Sequence, residues 1–295
     1  MIESGIDVIS DPMFVKGVAA GFIVLALGIV LWMVGDRHHV LRFGGLLVAA
    51  ATVLVLYQSG MLGLSQLAGV TLLAVAGLFH RSLAVGALLA LPGAFLIIRP
   101  EAADPQSWFL WFSVVAIILA APLVASFDGR YRETGLSIPL FGIAALGVFL
   151  TVPDTEGAMV LLGVAGIAGF LGWPRPVATL GPAGSYAVVG LYMFVAAGGA
   201  LGRPASIIGS VAVLGLLLII PITIRLRSIG WAHELDRVDA TVPLLAQLVL
   251  VVLISRTAGR IVGVPGAAAL TVGVLTAVTM IILFLPWPRP SQVLD

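Results

Sequence analysis

The chain has 295 residues, 60% of them hydrophobic and 10% charged, and its 15 basic and 14 acidic groups leave a net charge of +1. A soluble domain carries about 25% charged residues, so this composition excludes an ordinary soluble fold and points to an all-α integral membrane protein. The near-neutral balance, without a basic tract, excludes nucleic acid as a partner, and the absence of cysteine excludes disulfides, thiolate metal sites and Cys nucleophiles.

The opening residues MIESGIDVISDPMF are acidic and lack the basic start of a signal peptide, so the first apolar run is expected to stay in the mature protein. Eleven apolar runs follow, near 14–34, 42–58, 61–79, 82–98, 108–126, 136–152, 158–173, 181–201, 205–224, 242–255 and 266–286. A crossing needs about 20 residues, so they predict about eleven transmembrane helices in one polytopic domain, with 242–255 the weakest span. Short connections make successive helices antiparallel hairpins.

Orientation follows from the basic residues. With alternate gaps assigned to opposite sides, Arg37, Arg42, Arg81, Arg130, Arg132, Arg175, Arg225, Arg227, Arg237 and Arg289 share one side, while Lys16, Arg99, Arg203, Arg256 and Arg260 share the other. The richer side is read as cytoplasmic, which puts the N-terminus outside and the C-terminus inside. Trp32, Trp108, Trp111, Trp173, Trp231 and Trp287 all lie near run ends, as interfacial tryptophans do. The Arg-, Ala- and Gly-rich composition reads as prokaryotic, so the expected location is the cytoplasmic (inner) membrane.

Two runs end alike, in Phe170-Leu-Gly-Trp-Pro-Arg-Pro176 and Phe284-Leu-Pro-Trp-Pro-Arg-Pro290, and the outer turns Arg99–Pro105 and Pro153–Gly157 are both acidic and proline-bearing. Duplicated hairpins and convergent helix-end punctuation both produce this pattern. Residues 228–240, SIGWAHELDRVDA, place Trp231, Leu235 and Val238 on one helical face and read as an interfacial amphipathic segment.

The runs carry little chemistry. None of the 29 charged side chains falls near the middle of a span, where relays and coupled transport usually place them. His233-Glu234-Leu-Asp236-Arg237 resembles the start of a zincin helix, but the second imidazole position holds Arg237. Neither a metal nor a cofactor is expected. The loops Gly35–His39 and Asp128–Glu133 resemble, over about six residues, the Asp-Arg-x-Gly-Arg-Arg loop of major facilitator transporters. That family has twelve helices and carries the loop between its second and third, and this chain departs on both counts. The loops are read as cytoplasmic anchors.

Arg256 and Arg260 lie four apart on the outer side and are the candidate clamp for a phosphate or lipid headgroup. Asp154 and Glu156 form an acidic pair in one outer turn. Arg130, Arg132, Arg225, Arg227, His233 and Glu234 form the candidate cytoplasmic interface. Within the runs, Gln66, Thr71, Ser113, Ser185, Tyr186, Tyr192, Gln247, Thr271, Thr276 and Thr279 are expected to hydrogen-bond between helices. Pro92-Gly93 interrupts the fourth run, and Pro122, Pro182 and Pro221 lie towards the ends of others. Gly17 and Gly21, and Gly163, Gly166, Gly169 and Gly172, have the spacing that lets helices approach closely, either within the chain or against a second copy or a partner subunit.

Three functions fit. The first is a transporter or flippase-like protein for a lipidic or uncharged substrate, with membrane lipids as partners. The second is a non-catalytic membrane subunit of a larger complex. The third, least favoured, is a membrane enzyme acting on a lipid-linked substrate through Asp154, Glu156 or the 225–239 loop.

Overall fold

The first helix begins at a start signal that hydropathy alone does not register. The Asp11 carboxylate accepts the Met13 N–H at 2.7 Å and the Phe14 N–H at 3.3 Å, and Pro12, whose missing N–H costs nothing there, takes the first helical position. The helix α1, Pro12–Val34, therefore starts two residues before the expected run. The structure is a computed structural model that describes residues 10–34, 44–80, 82–99, 108–130, 156–169 and 179–198. The helices that follow are α2 (Gly44–Gln58), α3 (Leu64–Leu78), α4 (Leu83–Ile98), α5 (Trp108–Arg130), α6 (Glu156–Ala168) and α7 (Gly181–Gly198). Among the described residues there are seven helices and no strand, so the described part is all-α. The runs at 136–152, 205–224, 242–255 and 266–286, the segment 228–240 and both Trp-Pro-Arg-Pro endings lie outside the described residues.

Local chemistry sets the other helix ends. Gly60 has a φ of 73° and closes α2 in a Schellman turn, with Met61 N–H donating to the Leu56 carbonyl at 2.9 Å and Gly60 N–H to Tyr57 at 3.0 Å. The Gln66 side chain turns back to accept the Gly63 N–H at 2.8 Å, capping the start of α3. Thr71 and Ser185 each donate to their own helix, to the carbonyls of Leu67 at 2.9 Å and Gly181 at 2.8 Å. Among the described residues, Gln66, Thr71 and Ser185 thus bond within their own helix or its cap rather than between helices, because a nearby backbone partner satisfies each one first.

Apolar residues circle these helices, so residue size rather than polarity decides which face turns inward. On α1 the buried positions are Gly17, Ala20, Gly21, Val24 and Gly28, while Phe22, Ile23, Leu27, Val30 and Leu31 are exposed. Gly17 and Gly21 lie against Val160, Gly163 and Ile167 of α6, so this GxxxG pair is used within the chain. Gly166 is exposed, with open space where a Cβ would go. Helix α7 is buried from Ala183 to Val195 on every side, and packs on α2, α3, α4, α5 and α6. A helix that is apolar all round belongs in such a central place.

The contacts fix helix directions. Gly77 meets Pro182 and Ala183 while Leu73 meets Gly190, so α3 and α7 are antiparallel. Gly69 meets Gly93 and Ile97, while Gly86 lies near Ala76 and Phe79, so α3 and α4 are antiparallel as well. Phe95 and Trp111 pair the end of α4 with the start of α5. Ser59 Oγ lies 3.3 Å from Met13 Sδ, joining the end of α2 to the start of α1, and Gly157 packs on Val195. Lys16, Arg99 and Glu156 consequently share one end of the bundle. His80 and the α5 terminus at Arg130 share the other. Helices α5 and α6 run in the same direction.

Candidate functional site

Of the candidate residues, Asp154, Arg132, Arg225, Arg227, His233, Glu234, Arg256 and Arg260 lie outside the described residues. Arg130 is the last residue of α5. Glu156 is exposed in the first turn of α6, where its charge complements the positive end of the helix dipole. That accounts for Glu156 without catalysis. Among the described residues no group of three His, Asp or Glu side chains comes together to hold a metal ion.

The structure draws attention instead to α4 and α5, which lie against each other and against α7. Each carries a proline, Pro92 in α4 and Pro122 in α5. A proline inside a helix donates no N–H to the carbonyl four residues back and pushes that carbonyl away. Leu88 and Ile118 thus each lose their normal backbone donor, and both helices gain a point of bending. Beside the first of these, Gly93 packs against the Gly69 carbonyl at 3.0 Å, measured from where a Cβ would stand. Helix α4 is held close to α3 at its own weak point.

One turn into α5, Ser113 is fully buried and its hydroxyl has no hydrogen-bond partner. A buried unsatisfied hydroxyl costs about 1–3 kcal/mol. The other hydroxyls in the described core behave differently: Thr52 donates to the Val48 carbonyl at 2.8 Å, as Ser185 does to Gly181. Helix α7 contributes Tyr192, among the largest fully buried side chains, and the buried Tyr186. Among the described residues, the Ser113 hydroxyl is the one buried side-chain polar atom without a hydrogen-bond partner.

At the end of the bundle shared with Lys16 and Glu156, α4 and α5 form an aromatic and cationic cluster. The Phe95 and Trp111 rings are tilted at 40° with centroids 6.1 Å apart. The Arg99 guanidinium lies 5.4 Å from the Phe95 ring centre, within cation–π range. Arg99 and Trp111 are both exposed. The i, i+4 spacing of Phe95 and Arg99 on one helix is a signal that the sequence contains, and treating Arg99 only as a loop charge misses it. No known family model matches the chain, and no curated protein matches its sequence.

Proposed function

We propose that the chain is an integral protein of a prokaryotic cytoplasmic membrane that moves a lipidic or uncharged substrate, in the manner of a transporter or flippase. The observation that carries this reading is the pairing of two proline-interrupted helices, α4 and α5, side by side against a central helix. Two adjacent helices with weakened backbone ladders can bend together, and Ser113 of α5 offers a buried hydroxyl with no partner. The absence of charge from the runs suits a substrate that needs no counter-ion at depth.

Membrane placement draws support from the surface. Phe22, Ile23, Leu27, Leu54, Leu88, Leu91, Val115 and Leu119 are exposed, a pattern that a bilayer tolerates and water does not. Helix α1 contains 20 residues, Pro12–Leu31, long and apolar enough to cross by length and composition. The remaining apolar helical stretches among the described residues are 10–17 residues long, so several crossings rely on local thinning or flanking residues. The common direction of α5 and α6 supports a further crossing at 136–152, because the chain leaves α5 at one end and enters α6 at the other. With the runs at 205–224, 242–255 and 266–286, this gives about eleven spans, N-terminus outside and C-terminus inside.

Two experiments test the reading. The chain has no cysteine, so Asp154→Cys and Arg130→Cys give labelling without background. The topology requires that the first reacts only from outside and the second only from inside. Reconstitution into liposomes holding a fluorescent phosphatidylglycerol then tests transport by dithionite bleaching: flipping above the empty-liposome rate, slowed in P92A/P122A, is the expected outcome. No acceleration sinks the phospholipid-flippase form of the reading. The second reading, a non-catalytic subunit, is favoured by the close glycine packing and the hydroxyls spent on their own helices. A stoichiometric protein partner, found by mass spectrometry of native nanodiscs, would establish it.

A further inference from the structure

Arg99 ends a line of side chains along one face of α4. Phe95 lies four residues before it, Leu91 and Pro92 a turn earlier, and Leu88 a turn before those; Leu88, Leu91 and Pro92 are exposed. Across from this line, Trp111, Val115 and Leu119 follow one another at intervals of four along α5, all more than half exposed. The two lines meet at the Phe95–Trp111 ring pair. From Trp111 to Leu119 the helix rises about 12 Å, at about 1.5 Å per residue, close to the ~15 Å of a single leaflet's hydrocarbon. An exposed apolar strip of one leaflet's depth therefore ends in an arginine.

The guanidinium is held in a useful way. Its central carbon lies 5.4 Å from the Phe95 ring centre, within the range where the ring attracts and positions the cation. Among the described residues its partner is the Phe95 ring. The planar donor edge of a guanidinium fits two oxygens of a phosphate in a bidentate pair. The aromatic rings beside it suit the level where acyl chain gives way to headgroup.

We propose that Arg99, Phe95 and Trp111 form a binding site for one anionic phospholipid of the outer leaflet, with its phosphate on the Arg99 edge and an acyl chain along Leu91, Leu88, Val115 and Leu119. The site rests on the membrane reading above but not on the transport reading.

The test uses the full chain, purified in detergent, delipidated and titrated with phosphatidylglycerol under native mass spectrometry. Wild type is expected to hold one tight lipid. R99Q is expected to weaken it about tenfold, as loss of a charge-assisted pair of hydrogen bonds does, with an unchanged lipid-free melting temperature. R99K keeps the charge but not the fork and is expected to fall between the two. W111A is expected to weaken the lipid with the charge intact. Equal retention of phosphatidylglycerol by R99Q and wild type overturns the site, as does displacement of the lipid by millimolar inorganic phosphate. Carbonate washing of native membranes separates the two failures. A chain released by carbonate is not integral, and the membrane reading falls with it. A retained chain whose R99Q variant binds lipid normally leaves that reading standing and removes only the site.

Discussion

Gly163 of α6 stands against Gly17 of α1 backbone to backbone: a Cβ on Gly163 would lie 2.6 Å from the Val18 nitrogen and 2.8 Å from the Gly17 carbonyl carbon. Atoms do not approach that closely, so any side chain at Gly163 must push the helices apart. Because the obstacle is backbone, it cannot rotate away. Close van der Waals contact of this kind helps hold packed helices together.

Replacing Gly163 with Leu is therefore expected to cost about 3 kcal/mol, the upper range of overpacking. The same substitution at Gly166, which faces open space, is expected to change stability by less than about 0.5 kcal/mol. Melting temperatures of the two variants in one detergent compare them. Equal losses would mean that the α1–α6 contact does not carry stability.

Ser113 makes the opposite prediction. Alanine there removes a buried hydroxyl that has no partner, so S113A is expected to be neutral or about 1 kcal/mol more stable. If the hydroxyl serves a passing substrate, flipping in liposomes slows while the melting temperature holds or rises. A stability loss above about 1 kcal/mol would show that the hydroxyl is already bonded.

Gly60 separates strain from space. Nothing stands within 4 Å of where its Cβ would be, yet its φ is 73°. Alanine is expected to destabilise by about 1 kcal/mol through the left-handed backbone alone, and Asn by less because it tolerates that region. Thermal unfolding of G60A and G60N gives the ranking, and equal values would remove the backbone explanation.

Gln66 is expected to matter as an acceptor. Q66A leaves the Gly63 N–H without its cap and should cost about 1 kcal/mol, while Q66E keeps the acceptor and should lose less. Hydrogen exchange at the start of α3 provides a local measure: faster exchange in Q66A than in Q66E is the expected order.

Helix positions were legible in the sequence because apolar runs broken by Pro, Gly and charge leave few alternatives. Their inner faces were harder to read. With no polar side to turn outward, periodicity carries no information about α7, and the small residues of α1 identify its contact face only because GxxxG spacing has a packing meaning. Gly163 and Gly166 look alike in sequence and differ in space, since a three-residue repeat drifts around a helix of 3.6 residues per turn. The polar residues misled for a different reason. Gln66 and Ser185 look like bridges between helices, but a partner one turn away on the same chain is always within reach. Half of the cluster at Arg99 was readable from its spacing to Phe95. Trp111 joins it through the α4–α5 pairing, which the short connection predicts as a hairpin without specifying that Trp111 meets Phe95.

The enclosed position of α7 has a bearing on biogenesis. It is synthesised after every described helix that packs on it, and the seats it fills, at Gly45, Gly77 and the Leu73 side chain, belong to segments that leave the ribosome earlier. Those segments must wait, with their glycine-lined notches unfilled, until α7 arrives. Nascent chains stalled before residue 179 should therefore be the ones that quality-control proteases recognise, and release past residue 198 the step that ends their exposure.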